Sequence, residues 1–241
     1  MTEPIQTGKL FLIPTPLGEN PPLEVLPLSV KKVVEELFHF IVENEKVARR
    51  FFNKITPQKN QADLNLYTLN KFTTQEEIET FLNPCKEGKS MGLLSDAGCP
   101  GVADPGAVIV AKAHKAGIQI IPLVGPSSLL LAMMSSGLNG QNFAFNGYLP
   151  IDKKQRSQAL LRLEKKTLRE EQAQLFIETP YRNPTLFNDI IKILNPNTML
   201  CIACDINQVS EFILTLPIHQ WKNRKLDLNK RPCIFIIDTL R

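Results

Sequence analysis

The chain has 241 residues, of which 43% are hydrophobic, 22% charged and 7% aromatic, with a formal net charge of +4. That composition excludes a disordered chain, and no run nears the roughly 18 consecutive apolar residues of a membrane span. The opening MTEPIQTGKLFLIP lacks a basic region followed by a long apolar stretch, and five cysteines in this length do not make a disulfide framework, so the expectation is a cytoplasmic protein of one or two domains.

Taken in chain order, short apolar β-branched runs predict strands at 10–13, 38–42, 65–69, 91–95, 118–124, 143–148, 175–178, 198–203 and 233–237. Helical patterns fall between them. Ser29 is placed to cap a helix with Val30, Val33, Val34 and Leu37 on one face, and further helices are expected at 46–54, 74–82, 107–116, 127–136, 157–171 and 185–194. Alternating strand and helix predicts α/β layering with largely parallel strands. The turn-rich stretch 122–126 is the natural boundary, giving two α/β domains, 1–121 and 122–241. No internal repeat or low-complexity tract interrupts them.

Charge divides along the same line. Residues 1–120 carry 13 Lys/Arg against 14 Asp/Glu, and residues 121–241 carry 15 against 10. The excess gathers in two clusters: Lys153, Lys154, Arg156, Arg162, Lys165, Lys166 and Arg169, then Lys222, Arg224, Lys225, Lys230 and Arg231. Such clusters attract phosphates. The plainer reading is a solvated helix face, since Glu164, Glu170 and Glu171 interleave with the first.

Three Gly/Pro-rich loops each follow an apolar strand. Pro14-Thr15-Pro16-Leu17-Gly18 combines fixed φ with a flexible glycine, a rigid turn that lets a ligand approach backbone. The run from Ser95 to Gly106 (SDAGCPGVADPG) holds three Gly, two Pro and two Asp between a strand and a helix, where open α/β sheets bind ligands. Gly125-Pro126-Ser127-Ser128 closes a third strand and starts a helix, with serines able to cap it or hold a polar group. Each loop alone is ordinary α/β punctuation. The phosphate-loop pattern and the GxGxxG fingerprint are absent from the sequence, which counts against an NTPase or a dehydrogenase. Cys201 and Cys204 spell CxxC within an apolar strand, whose alternation points them to opposite faces, so buried packing and not metal ligation is expected. His39, His114 and His219 have no metal-like spacing and complete no Ser/His/Asp set.

In this order, LFLIPTPLG, LLSDAGCPGVADPG, IIPLVGPSSLLLAMMSSGL, FAFNGYLP, FIETPYRNPTLFNDI and KRPCIFII resemble the tetrapyrrole methylase superfamily of S-adenosylmethionine (SAM) methyltransferases. Within it they are most similar to the branch that methylates a cytidine ribose 2′-hydroxyl of small-subunit ribosomal RNA. The resemblance implies a cytoplasmic homodimeric enzyme of two α/β domains, with SAM in the cleft between them, no metal, and ribosomal RNA or the small subunit as partner. It implies cofactor contacts from Ser95, Asp96, Ala97 and Gly98, with Val102 and Asp104 closing over the ligand, and from Ser127, Ser128 and Leu129. Tyr181, Cys204 and Pro232 fall near the adenine side, and the turn of Pro14, Thr15, Pro16 and Gly18 falls on the substrate side.

SAM carries its own electrophile, so the protein has mainly to bind and align, in keeping with loops that expose backbone and offer no nucleophile. A hydroxyl acceptor would still gain from a base. Glu178, at a strand end beside Thr179-Pro180-Tyr181-Arg182, is the candidate; its other reading is a partner for Arg182 or a helix-start charge. The branch's acidic-Asp-Thr-Arg string is here Glu43-Asn44-Glu45-Lys46, its His-rich string is 69–73, and its Arg-Glu-x-Thr-Lys string is Cys204-Asp205-Ile206-Asn207-Gln208. The sequence also stops at Arg241, short of the C-terminal segment of longer members. These departures fall on the substrate side. They keep open a small-molecule methyltransferase, or a SAM-binding protein without catalysis, beside the RNA enzyme.

Overall fold

The computed structural model describes residues 7–239. Backbone contacts divide the chain after Ser127 into two compact units, and each is an α/β layer structure built on a five-stranded sheet.

In the first unit the strands are β1 (Leu10–Ile13), β2 (His39–Val42), β3 (Asn65–Thr68), β4 (Met91–Leu94) and β5 (Ile120–Pro122). The helices are α1 (Pro22–Val25), α2 (Leu28–Glu36), α3 (Glu45–Ile55), α4 (Gln75–Thr80), α5 (Asn83–Lys86) and α6 (Ala107–Lys115). The sheet runs β3-β2-β4-β1-β5 and every pairing is parallel. Helices cover both faces, so the central strands carry unbroken apolar runs. Alternate side chains go to opposite cores: Phe40 and Val42 join Val30, Val34, Phe52 and Ile55 on one side. Ile41 joins Leu10, Met91, Leu93 and Ile109 on the other. Each fully buried Phe or Leu contributes about 1.5–3 kcal/mol. Because the strands are parallel, the segments after β1, β2 and β4 all emerge at one edge of the sheet.

The second unit holds β6 (Phe143–Tyr148), β7 (Ala173–Ile177), β8 (Met199–Cys204), β9 (Phe212–Pro217) and β10 (Cys233–Asp238), in the order β6-β7-β10-β8-β9. Its helices are α7 (Ser128–Ser136), α8 (Lys153–Arg169), α9 (Asn183–Ile193) and α10 (Ile218–Trp221). Here the expectation of parallel strands fails: only β6 and β7 pair in parallel, and the other three pairings are antiparallel. The reason is connection length. Residues 205–211 join β8 to β9, too few for the crossover that a parallel return requires. Strand β9 is absent from the sequence reading because every residue in it is half-buried, which removes the alternation that marks a strand. Trp221 anchors this core, donating from Nε1 to the Leu200 carbonyl at 3.0 Å and meeting Phe187 edge-on.

Several helix starts also move. Pro27, not Ser29, stands at the N-cap of α2, where no side chain caps the backbone. Helix α8 begins four residues before the expected 157 because Asp152 accepts from Gln155 N at 2.9 Å.

Candidate functional site

The three Gly/Pro loops meet in the first unit. Thr15 and Gly98 exchange backbone hydrogen bonds, Thr15 N to Gly98 O at 3.0 Å and Gly98 N to Thr15 O at 3.1 Å. Thr15 Oγ1 donates to the Ser95 carbonyl at 3.2 Å, and Ser95 Oγ donates to the carbonyls of Ala97 and Gly98 at 3.2 and 3.1 Å. Both hydroxyls are buried, so they fix the loop and are not presented outward. The third loop closes on the first. A Cβ added at Gly125 would lie 2.2 Å from Pro14 Cγ, so only glycine allows that approach. Cys99 Sγ reaches the Pro126 carbonyl at 3.4 Å.

Asp104 folds the loop's far half. Its Oδ1 accepts from Gly101 N at 2.7 Å and Gly106 N at 2.8 Å. Gly101 has φ +81°, with nothing within 4 Å of where a Cβ would be. Ala103 also takes a positive φ of 59°, and Val102 is 49% exposed. This turn therefore presents backbone and one apolar side chain at its surface.

A carboxylate that the sequence reading had not assigned to the site joins this loop. Glu43, directly after β2, accepts from Asp96 N at 3.0 Å through Oε1. Burial pushes its carboxyl above the ordinary carboxylate range, and Asp104 and Asp96 push the same way against the Asp96 N–H. Burial likewise raises Asp96, opposed by the Asn44 backbone N–H, and Asp104, opposed by the N–H groups of Gly106 and Gly101. Glu43 and Asp96 are 53 residues apart; only the position of an acid at a strand end could have signalled it. Among the described residues no group of three His, Cys, Asp or Glu is placed to hold a metal ion.

Residues at the departures from the family strings have local tasks. Asn44 caps α3, accepting from Lys46 N and Val47 N at 3.0 and 3.3 Å, and Glu45 pairs with Arg49. Asn70 accepts from Phe72 N at 2.8 Å. Ser127, Ser128 and Leu129 are half-buried, with Ser128 opening α7.

In the second unit the segment after β7 is tied to the ends of β8 and β10. Lys230 N donates to Pro180 O at 3.1 Å, Asn183 Nδ2 to Arg231 O at 2.6 Å, and Asp205 N to Pro232 O at 3.0 Å. Tyr181, Cys204 and Pro232 thus belong to one group of neighbouring segments. Tyr181 is exposed, whereas the Cys204 thiol is fully buried opposite Cys233, Sγ to Sγ 3.1 Å. The Cys204 thiol is therefore turned into the core and is not offered to a ligand. Cys201, also buried, lies outside the core that holds Cys204. Glu178 Oε1 accepts from Thr179 N at 2.6 Å, Arg182 Nη2 at 2.6 Å and Arg182 Nε at 3.0 Å. The pairing with Arg182 is thus present, and it holds the turn that leads into α9. Asn183 Oδ1, fully buried beside it, has no partner among the described residues.

No family model matches the chain. Individual relatives do. The ribosomal RNA small subunit methyltransferase I of Buchnera aphidicola subsp. Schizaphis graminum is 31% identical over 208 residues, 86% of this chain and 69% of that protein. That of Thermotoga maritima is 32% identical over 187 residues, 78% of each. The Escherichia coli O157:H7 protein of the same name is 26% identical over 234 residues, 96% of this chain and 78% of that one. The chain belongs to this family. Solved structures share its fold: the methyltransferase CobJ superposes with a TM-score of 0.64 at 14% identity, covering 97% of this chain and all of that one. Uroporphyrin-III-C-methyltransferase from Thermus thermophilus gives 0.56 at 16% identity, covering 96% and 92%. The resemblance to the tetrapyrrole methylases read from the loops is therefore shown in the fold.

Proposed function

We propose that this chain is a cytoplasmic, homodimeric, SAM-dependent methyltransferase acting on a ribose 2′-hydroxyl of small-subunit ribosomal RNA. What carries this reading is the identity of 31–32% to relatives named for methylation of that RNA. The loop geometry fits the cofactor's charge. SAM bears a sulfonium and an ammonium group, and three carboxyls, the half-buried Glu43 and Asp104 and the more exposed Asp96, are joined to one loop in the first unit. Burial makes each costly to ionise alone, and a cationic ligand relieves that cost. The accessible turn at Gly101 and Val102 lets backbone come close to such a ligand. Ser127, Ser128, Leu129, Tyr181, Cys204 and Pro232 complete the proposed cofactor contacts, and Pro14, Thr15, Pro16 and Gly18 the substrate-side turn, with Thr15 acting through the loop it holds.

When bound, SAM supplies an activated methyl group; the chain's own part is alignment and proton management. The ties of Thr15, Ser95 and Asp104 leave the loop little freedom to reorganise, which serves orientation. Two acids at strand ends are candidates to accept the hydroxyl proton. Glu178 is held by three hydrogen bonds, and Glu43, raised above the ordinary carboxylate range by burial, is fixed at the loop by the Asp96 N–H.

The test is calorimetry with SAM, followed by methyl incorporation into undermethylated small subunits and mapping of the modified ribose. Binding and incorporation are expected. Binding without transfer to RNA would overturn the reading in favour of a protein without catalysis, and transfer to a tetrapyrrole alone would overturn it in favour of a small-molecule enzyme.

A further inference from the structure

The first basic cluster divides in the structure. Arg156 is not a surface cation: it is buried against Asp189, with Nη2 and Nε donating to Oδ2 at 2.5 and 2.8 Å, and it also donates to the Ile151 carbonyl. Among the described residues, none of Lys153, Lys154, Arg162, Lys165, Lys166 and Arg169 is in an ion pair. The glutamate expected to neutralise them from within the helix is diverted. Glu164 Oε1 accepts from Asn195 N at 2.7 Å and Thr198 Oγ1 at 2.6 Å, fastening α8 to the turn before β8.

At 100° per residue, Lys154, Lys165, Arg169 and Arg162 fall within an arc of about 80°, a stripe roughly 22 Å long at 1.5 Å per residue. All four are exposed. Leu161 and Leu168, 42% and 64% exposed, lie along one border. Four unpaired cations in a row match a polyanion of regular spacing, and the bordering leucines offer apolar contact to sugar faces between phosphates.

We propose that this stripe of α8 is a docking surface for the phosphate backbone of the RNA substrate, an inference that rests on the RNA methyltransferase reading. It positions substrate and takes no part in the chemistry, so its loss raises KM and leaves kcat in place. Each phosphate contact contributes about 0.7–0.9 to the slope of log affinity against log salt. Four contacts account for a slope of about three, and so for a loss of affinity of roughly sixtyfold between 50 and 200 mM salt.

The experiment compares wild type with the variant K154Q/R162Q/K165Q/R169Q and with a control of equal charge change at exposed lysines outside both basic clusters, K9Q/K32Q/K86Q/K115Q. Undermethylated small subunits are titrated from low to moderate salt, with methyl transfer, SAM affinity and melting temperature followed in parallel. The expected result is weaker RNA binding with a shallower salt slope and raised KM for the stripe variant alone, with kcat, SAM affinity and melting temperature retained. Equal losses in both variants would overturn the proposal, because net charge would then suffice. So would unchanged RNA binding by the stripe variant of a wild type that methylates. If the wild type binds RNA through the stripe but transfers no methyl, the methyltransferase reading fails and the docking surface stands. If it binds no RNA, both fail. Vesicles of anionic phospholipid serve as a second polyanion: binding to them, with none to RNA, would assign the stripe to a membrane surface.

Discussion

Replacing Glu178 separates a proton acceptor from an anchor. Its side chain is 2% exposed and that of Arg182 is 36%, so the pair is buried on one side only. Glu178→Gln keeps an oxygen for Thr179 N and for one Arg182 N–H and removes the charge, which should cost about 1 kcal/mol. Glu178→Ala also leaves Thr179 N without its acceptor. Arg182 can then rehydrate, so the loss should be about 2–3 kcal/mol, below the 3–5 kcal/mol of a fully buried broken pair. Arg182→Ala takes from the buried carboxylate its counter-charge and two of its three donors and should cost about 3 kcal/mol. In a chain of this size each kcal/mol moves the melting temperature by roughly 2–4 °C. A general base contributes about 10²- to 10⁴-fold to rate. With Oε1 committed to three donors, the geometry favours the anchor. Glu178→Gln should then retain kcat within a few-fold, and thermal melts of the double-mutant cycle with Arg182→Ala should show a coupling of about 1–3 kcal/mol. A hundredfold fall in kcat for Glu178→Gln, with Arg182→Ala active, would refute this and make Glu178 the proton acceptor.

Three further outcomes follow from the same geometry. Glu43→Gln preserves an acceptor for Asp96 N and removes the charge; single-turnover methyl transfer should fall about a hundredfold or more if Glu43 takes the proton, and a wild-type rate would remove it from that role. Asp104→Ala frees the N–H groups of Gly101 and Gly106, and calorimetry should show SAM affinity at least tenfold weaker, while Asp104→Asn, which keeps the acceptor, should lose less. Arg156→Ala breaks a pair buried on both sides, 8% and 10% exposed, and should destabilise the protein by about 3–5 kcal/mol by denaturant titration; a cost below 1 kcal/mol would return Arg156 to the surface cluster.

What the sequence made legible follows from burial. Strands β1, β2 and β4 are covered on both faces, and their apolar runs stand out in the text of the chain; the loops after β1 and β4 were found because they follow such runs. Strand β9 was hidden by half-burial at every position, and with it the antiparallel character of the second sheet. Arg156 reads like its basic neighbours because its partner Asp189 lies 33 residues away. Glu43 was visible only as the first residue of an altered string, since its link to Asp96 is made by the pairing of β2 with β4. Local spacing marks loops and faces; the charges that matter in them are decided by contacts far apart in sequence.

Burial of those charges has a consequence that depends on pH. Glu43, Asp96 and Asp104 are all raised above their ordinary values, chiefly by burial. Between the ordinary carboxylate range near 4 and the raised values, the folded protein holds more protons than the unfolded chain. Their contribution to stability therefore falls as pH rises through that window and is complete below it. A cation bound beside them favours the ionised forms, so it binds better as the protons leave. SAM affinity should accordingly rise across the window and level off above it, while the free protein loses stability over the same interval. Calorimetry at a series of pH values, paired with denaturant titrations without SAM, reads both slopes. Opposite signs are required, and Glu43→Gln should flatten each of them in part. An affinity that falls with pH would mean that the three carboxyls do not face the cofactor's positive charge, and the first unit's loop would then owe its form to backbone packing alone.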